Sequence, residues 1–186
     1  CGSIAASRCE EVIKLLNYNN FKTSCILTEE GKKYVKISNI KKLVKNRIFT
    51  DKSEIKNKML HINLSRENDL IVVFPATANT IAKFANGYGD NLSSNTLLAA
   101  NKNILFAPAM NSYMWNNKAN QKNIRILKKR GHEFIGPKIG NLKCGEFGLG
   151  RVENSKIILN VIIRKLENFN LLKNKKCLVT AGPTVE

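Results

Sequence analysis

The chain of 186 residues is sized for one domain with its own core, and 31 lysines and arginines against 14 aspartates and glutamates give a formal charge of +17. Lysine is spread along the whole sequence beside abundant asparagine and isoleucine, without helix-turn-helix, zinc-finger spacing or aromatic–basic interleaving, so nucleic acid is set aside in favour of a field that attracts a phosphorylated metabolite. Five cysteines form no C-x-x-C pair, no apolar run reaches transmembrane length and no signal peptide is visible, which argues against a disulfide framework, a metal site and a membrane partner, and for a cytoplasmic protein.

Both ends read as cut. Cys1-Gly2-Ser3-Ile4 reads as the turn after a strand that is absent from the sequence, and Gly2-Ser3 before a helix offers backbone N–H groups and a hydroxyl to a phosphate. Residues 2–18 carry a helical stripe of Ile4, Ala5, Val12, Ile13, Leu15 and Leu16. Residues 22–28 predict a strand that ends in Thr28 at the ligand-facing edge. A short helix follows over 38–46, a short strand over 47–49 and a charged, mobile linker over 52–58. His61 then opens a helix that leads into a strand at Leu70. Residues 79–86 predict a helix stopped by Gly87, 92–100 a further helical piece, and 117–130 a helix closed by Gly131. A strand over 132–136, a glycine-rich loop over 140–151, an amphipathic helix over 155–169 and a new strand from 176 complete the chain. Alternating strand and helix means an α/β doubly wound parallel sheet.

Two stretches lie where such a sheet binds ligands. Pro75-Ala76-Thr77-Ala78-Asn79-Thr80 follows the apolar run LIVVF at 70–74, and Pro108-Ala109-Met110-Asn111 follows NILFA at 103–107. Short apolar runs of this kind are buried parallel strands, and ligands sit just beyond their carboxyl ends. The plainer alternative makes Asn79 and Asn111 helix caps. Two such loops in one sheet weigh against it.

The third signal is Cys144-Gly145-Glu146-Phe147-Gly148-Leu149-Gly150-Arg151, a glycine-rich segment suited to a flexible flap. Its cysteine has Lys143 beside it and Arg151 nearby, and cations favour the thiolate. Of the two histidines, His132 opens a strand and reads as structural. His61 follows the linker, where an imidazole can reach a ligand while staying neutral; a catalytic and a structural role weigh equally there.

Taken together, G-S-I-A-A at 2–6, H-I at 61–62, P-A-T-A-N-T-I-A-K at 75–83, P-A-M-N-x-x-M-W at 108–115 and C-G-E-x-G-x-G-R at 144–151 resemble the flavin-containing cysteine decarboxylases, in particular those acting on phosphopantothenoylcysteine in coenzyme A synthesis. The tail K-K-C-L-V-T-A-G-P-T at 175–184 is similar to the opening of the phosphopantothenoylcysteine synthetase domain that many bacteria fuse behind the decarboxylase. The resemblance implies a decarboxylase domain over 1–172, lacking its first strand, and the start of a synthetase domain over 173–186.

It further implies a flavodoxin- or Rossmann-like three-layer α/β/α sandwich, assembled as a homotrimer or larger, with FMN at subunit boundaries. Its chemistry is oxidation of the thiol-bearing carbon, loss of CO2 from the thioaldehyde and re-reduction, because a bare cysteinyl carboxylate would leave its charge nowhere to go. Gly2, Ser3, Thr28, Ala78, Asn79 and Thr80 match the FMN-binding segments. Asn111 matches the residue holding the substrate carboxylate, with Met114 lining the pocket. His61 matches the active-site histidine and Cys144 the proton donor of the reductive half. Ser7-Arg8 replace the Tyr-Lys common in the family, on a helix face that packs rather than reacts. Among relatives of other activity, a peptidyl-cysteine oxidative decarboxylase would need no reductive proton donor, a flavin prenyltransferase is disfavoured by the intact P-A-M-N and C-G-E segments, and a non-catalytic regulatory subunit could dispense with individual members of His61, Asn111 and Cys144.

Overall fold

The computed structural model describes residues 4–45, 47–56, 58–167 and 176–181. Ile4–Arg8 form a 3-10 helix that runs into α1 (Cys9–Tyr18), followed by β1 (Lys22–Leu27), α2 (Ile37–Leu43) and β2 (Ile48–Phe49). Next come α3 (Asp51–Lys56), α4 (Leu60–Glu67), β3 (Leu70–Ala76), α5 (Ala78–Ala85) and α6 (Leu92–Leu98). β4 (Ile104–Pro108), α7 (Ser112–Asn116), α8 (Lys118–Lys129) and β5 (Glu133–Phe134) follow. The chain continues through β6 (Lys138–Asn141), β7 (Phe147–Arg151), α9 (Ser155–Glu167) and β8 (Lys176–Ala181).

Six strands form one sheet in the order β2-β1-β8-β3-β4-β5, and every pairing in it is parallel. The pleat sorts the apolar runs onto two faces. Leu70, Val72, Phe74, Leu105 and Ala107 pack with α1, α2 and α9, whereas Ile71, Val73, Ile104 and Phe106 pack with α4, α5, α6 and α8. That is the expected three-layer sandwich. β3 is buried along its whole length, as a strand covered on both faces must be. Each large core side chain such as Phe74 or Phe106 contributes about 1.5–3 kcal/mol by its burial.

Two segments differ from the sequence expectation. Residues 52–58 were expected as a mobile linker, yet α3 occupies 51–56. The Thr50 N–H donates to Ser53 Oγ (3.1 Å), the Ser53 N–H donates to the Thr50 carbonyl (2.8 Å), and Asp51 and Glu54 place negative charge in the first turn. The glycine-rich loop is a two-stranded antiparallel hairpin of β6 and β7. Residues 176–181 lie as the parallel strand between β1 and β3.

Candidate active site

The loops after β1, β3 and β4 leave the same carboxyl edge of the sheet, which brings Thr28, the 77–80 segment and Asn111 to one end of the molecule. A first cleft of about 330 Å3 is lined by Thr28, Asn79, Thr80, Lys83, Asn91, Ser93 and Ser94. Thr28 is buried, and its hydroxyl accepts the Gly31 N–H at 3.2 Å. The cap of α5 is Thr77, whose hydroxyl oxygen accepts the Thr80 N–H at 3.1 Å. Asn79 is therefore no cap, and its amide stays exposed at the cleft.

The opposite wall carries residues that sequence reasoning passed over. Asn91 and Ser94 form a capping box at the start of α6: the Ser94 N–H donates to Asn91 Oδ1 (2.9 Å) and the Asn91 N–H to Ser94 Oγ (3.0 Å). The N-x-x-S spacing was the available signal. Lys83 Nζ is paired with Asp90 Oδ2 at 2.5 Å, and that hydrogen bond, reinforced by the lysine charge and Ser94, holds the Asp90 carboxyl below its ordinary range. The cleft combines these hydroxyls and amides with the side chains of Phe84 and Leu97.

Asn111 starts α7, and its two side-chain ends do different things. Oδ1 accepts the Tyr113 N–H at 2.7 Å and so caps the helix. That fixes which way the amide faces, leaving Nδ2 to donate to Glu146 Oε2 at 2.6 Å and to Cys144 Sγ at 3.4 Å. The cap and the ligand reading of Asn111 are thus compatible.

The hairpin reaches Asn111 because it is stitched to the loop after β4. The Met110 N–H donates to the Gly150 carbonyl at 3.0 Å, and a Cβ on Gly150 would lie 2.1 Å from the Met110 carbonyl oxygen. Only glycine allows that approach. Cys144 sits exposed in the turn between β6 and β7. The expected cationic neighbours point elsewhere: Lys143 Nζ lies over the Tyr34 ring at 5.9 Å, and Arg151 packs beside Gly140. A second cleft, of about 590 Å3, joins Ala78 and Asn79 to Met114, Asn117, Asn120 and Asn123.

His61 stands apart. It lies in the first turn of α4, its Nδ1 is 2.6 Å from Glu54 Oε1, and it lines neither cleft. His132 is structural: its Nδ1 accepts the Ile104 N–H at 3.2 Å, and its ring packs 5.0 Å from Phe84. Burial, and then the charge of Arg130, keeps its pKa below the ordinary histidine value. Gly2 and Ser3 lie outside the described residues. Among the described residues, no group of three His, Cys, Asp or Glu side chains could hold a metal ion, and no helix is long and apolar enough to cross a membrane.

Fold and clefts define a three-layer α/β protein with two clefts at the carboxyl edge of a parallel sheet. The chain belongs to the Flavoprotein family, whose profile matches residues 1–167. A coenzyme A biosynthesis bifunctional protein, CoaBC, of Borreliella burgdorferi is 34% identical over 187 residues, covering all of this chain and 48% of that protein. A probable phosphopantothenoylcysteine decarboxylase of Streptococcus mutans is 34% identical over 170 residues, covering 89% of this chain and 93% of that one. The chain spans about half the length of the bifunctional relatives it matches.

Among solved structures, a cysteine-to-serine variant of PPC decarboxylase complexed with pantothenoylaminoethenethiol superposes with a TM-score of 0.83 at 28% identity, over 89% of this chain and 94% of that one. The FMN-binding protein AtHal3 does so with a TM-score of 0.79 at 28% identity, over 90% and 93%.

Proposed function

We propose that this chain carries the FMN-dependent decarboxylation of phosphopantothenoylcysteine to phosphopantetheine, within a bifunctional protein that also ligates cysteine to phosphopantothenate. The observation that carries the reading is the Asn111 amide, turned by its capping bond toward Glu146 and Cys144. It offers a carboxylate a donor beside a thiol that can serve as an acid. The decarboxylase is assigned to 1–172 and the start of the ligase to 173–186, in line with a bifunctional relative that matches the whole chain. A cytoplasmic location goes with water-soluble substrates.

The first cleft suits FMN on the chemistry of its lining. Thr28, Thr80, Ser93 and the exposed amide of Asn79 offer hydroxyls and an amide to a polyhydroxylated chain, beside the apolar Phe84 and Leu97. Gly2, Ser3 and Ala78 complete the assigned flavin segments. FMN held there supplies hydride acceptance and return, which removes the obstacle to losing the carboxylate.

The chain's own residues do the rest. Asn111 Nδ2 donates to the substrate carboxylate in place of Glu146, and Met114 borders the arm of the substrate in the second cleft. Cys144 Sγ–H gives its proton to the carbon that has lost CO2. His61 takes the proton of the substrate thiol. Because His61 lines neither cleft of its own chain, a homotrimer or larger assembly is part of the reading: exposed Ile55 and Met59 flank His61, exposed Tyr113 and Phe147 flank Asn111 and Cys144, and the two patches meet between copies.

The test is an absorbance spectrum of the full-length protein as purified, followed by mass spectrometry after addition of phosphopantothenoylcysteine. Bound FMN and a product lighter by one CO2 are expected. Bound flavin without product would contradict the decarboxylase, and a colourless protein that refuses FMN would contradict the cofactor.

A further inference from the structure

The helix α3 has little reason to form through burial, since its one apolar residue, Ile55, is 80% exposed. What orders it is polar. At one end Asp51 Oδ1 accepts the Leu92 N–H at 2.9 Å, which pins α3 to the start of α6, the helix that carries Ser93 and Ser94 of the first cleft. On its next turn Glu54 Oε1 lies 2.6 Å from His61 Nδ1, with side chains 20% and 25% exposed. The imidazole partner is thus mounted on a helix anchored to the cleft wall.

The chemistry of that contact is one-sided. An ionised carboxylate only accepts, so the shared proton sits on Nδ1, and the bond made by one ring nitrogen fixes the state of the other. In the neutral ring Nε2 is then the bare lone pair. We propose that Glu54 is a positioning residue: it holds His61 in the Nδ1–H tautomer and in one ring orientation, so that Nε2 is the atom that receives the substrate thiol proton. In that step the S–H bond breaks, the Nε2–H bond forms, and the positive charge that appears on the ring faces the Glu54 carboxylate. The inference rests on the reading of His61 as the thiol-side base.

Glu54→Gln is the telling variant. It keeps shape and length, but its amide NH2 can donate to Nδ1 and lock the opposite tautomer. In a serine protease triad the equivalent acid-to-amide change preserves geometry and still removes most turnover. The measurements are steady-state kinetics and 15N NMR of the histidine rings, made on full-length protein loaded with FMN, for Glu54→Gln, Glu54→Ala and His61→Asn.

The expected result is an Nδ1-protonated His61 in the wild type and an Nε2-protonated one in Glu54→Gln. With it kcat falls roughly tenfold or more, KM stays within about twofold, and Glu54→Ala is the milder of the two. A Gln variant with wild-type kcat and tautomer overturns the proposal, and so does a loss that is larger for Ala than for Gln and tracks thermal stability. Wild-type turnover in His61→Asn overturns the underlying reading instead, and the NMR tautomer separates the two failures.

Discussion

Asn111 Nδ2 donates to the Glu146 carboxylate at 2.6 Å, so an acid on the hairpin holds the amide assigned to the substrate's acid. A substrate carboxylate must displace Glu146 to bind. A net hydrogen bond is worth about 1 kcal/mol, or roughly fivefold in an equilibrium. Glu146→Ala is therefore expected to lower KM for phosphopantothenoylcysteine by about two- to fivefold. Steady-state kinetics check this; a raised KM would mean that Glu146 helps to bind substrate rather than competing with it.

Asn111→Asp separates the two duties of that residue. Aspartate caps a helix as well as asparagine does, so the Tyr113 N–H keeps its acceptor, while the second oxygen faces the Glu146 carboxylate that Nδ2 had held. The Nδ2 donor is gone and an anion faces the substrate carboxylate. Loss of a hydrogen bond to a charged group costs about 1.5–3 kcal/mol, so kcat/KM should fall roughly 10- to 150-fold. A variant that keeps wild-type kcat/KM would show that capping is all Asn111 does.

Gly150 and Gly148 should answer differently to alanine. At Gly150 the new Cβ would meet the Met110 carbonyl oxygen at 2.1 Å, a backbone atom that cannot yield without parting the hairpin from the loop. At Gly148 it would meet Ser112 Oγ at 2.3 Å, a hydroxyl that can rotate away. Gly150→Ala is expected to destabilise by about 1–3 kcal/mol and to lower turnover through Cys144, with Gly148→Ala the lesser in both. Urea denaturation and activity assays of the pair measure the contrast.

His132 predicts a pH dependence of stability. Burial and Arg130 lower its folded pKa, so the folded state binds fewer protons than the unfolded chain between that value and about 6.5. The contribution is present in full above about pH 6.5, is lost as pH falls through the folded pKa, and levels off below it. Protonation also removes Nδ1 as acceptor for the Ile104 N–H. The urea midpoint should drop between pH 7.5 and 5, and His132→Gln should lose that part of the slope.

The fold was legible because β3 and β4 are continuous apolar runs that fit only a sheet covered on both faces, and because Gly87 and Gly131, at φ +76° and +88°, stop helices where glycine is expected to. Asn111 and Cys144 are singled out separately by resemblance to a family, and their 3.4 Å contact comes from the structure. What escaped was set by polar contacts between distant residues. The Asp51–Leu92 bond spans 41 residues, and no local pattern announces that it turns a charged stretch into α3. The seven-residue step from Glu54 to His61 has meaning only once two helices meet. Thr77, not Asn79, takes the capping position of α5. Strand pairing is non-local as well: residues 176–181 have the short β-branched and apolar character of a parallel strand, and nothing in it says which sheet position it takes.

The most direct measurement follows the product made by the Cys144→Ser variant of the full-length enzyme, with CO2 and organic product quantified together. With Cys144 as the proton donor of the reductive half, CO2 is released and an enethiol, lighter than phosphopantetheine by one H2, accumulates in its place. A normal yield of phosphopantetheine from Cys144→Ser would contradict that role and with it the assignment of the Asn111–Cys144 pair as the reacting centre.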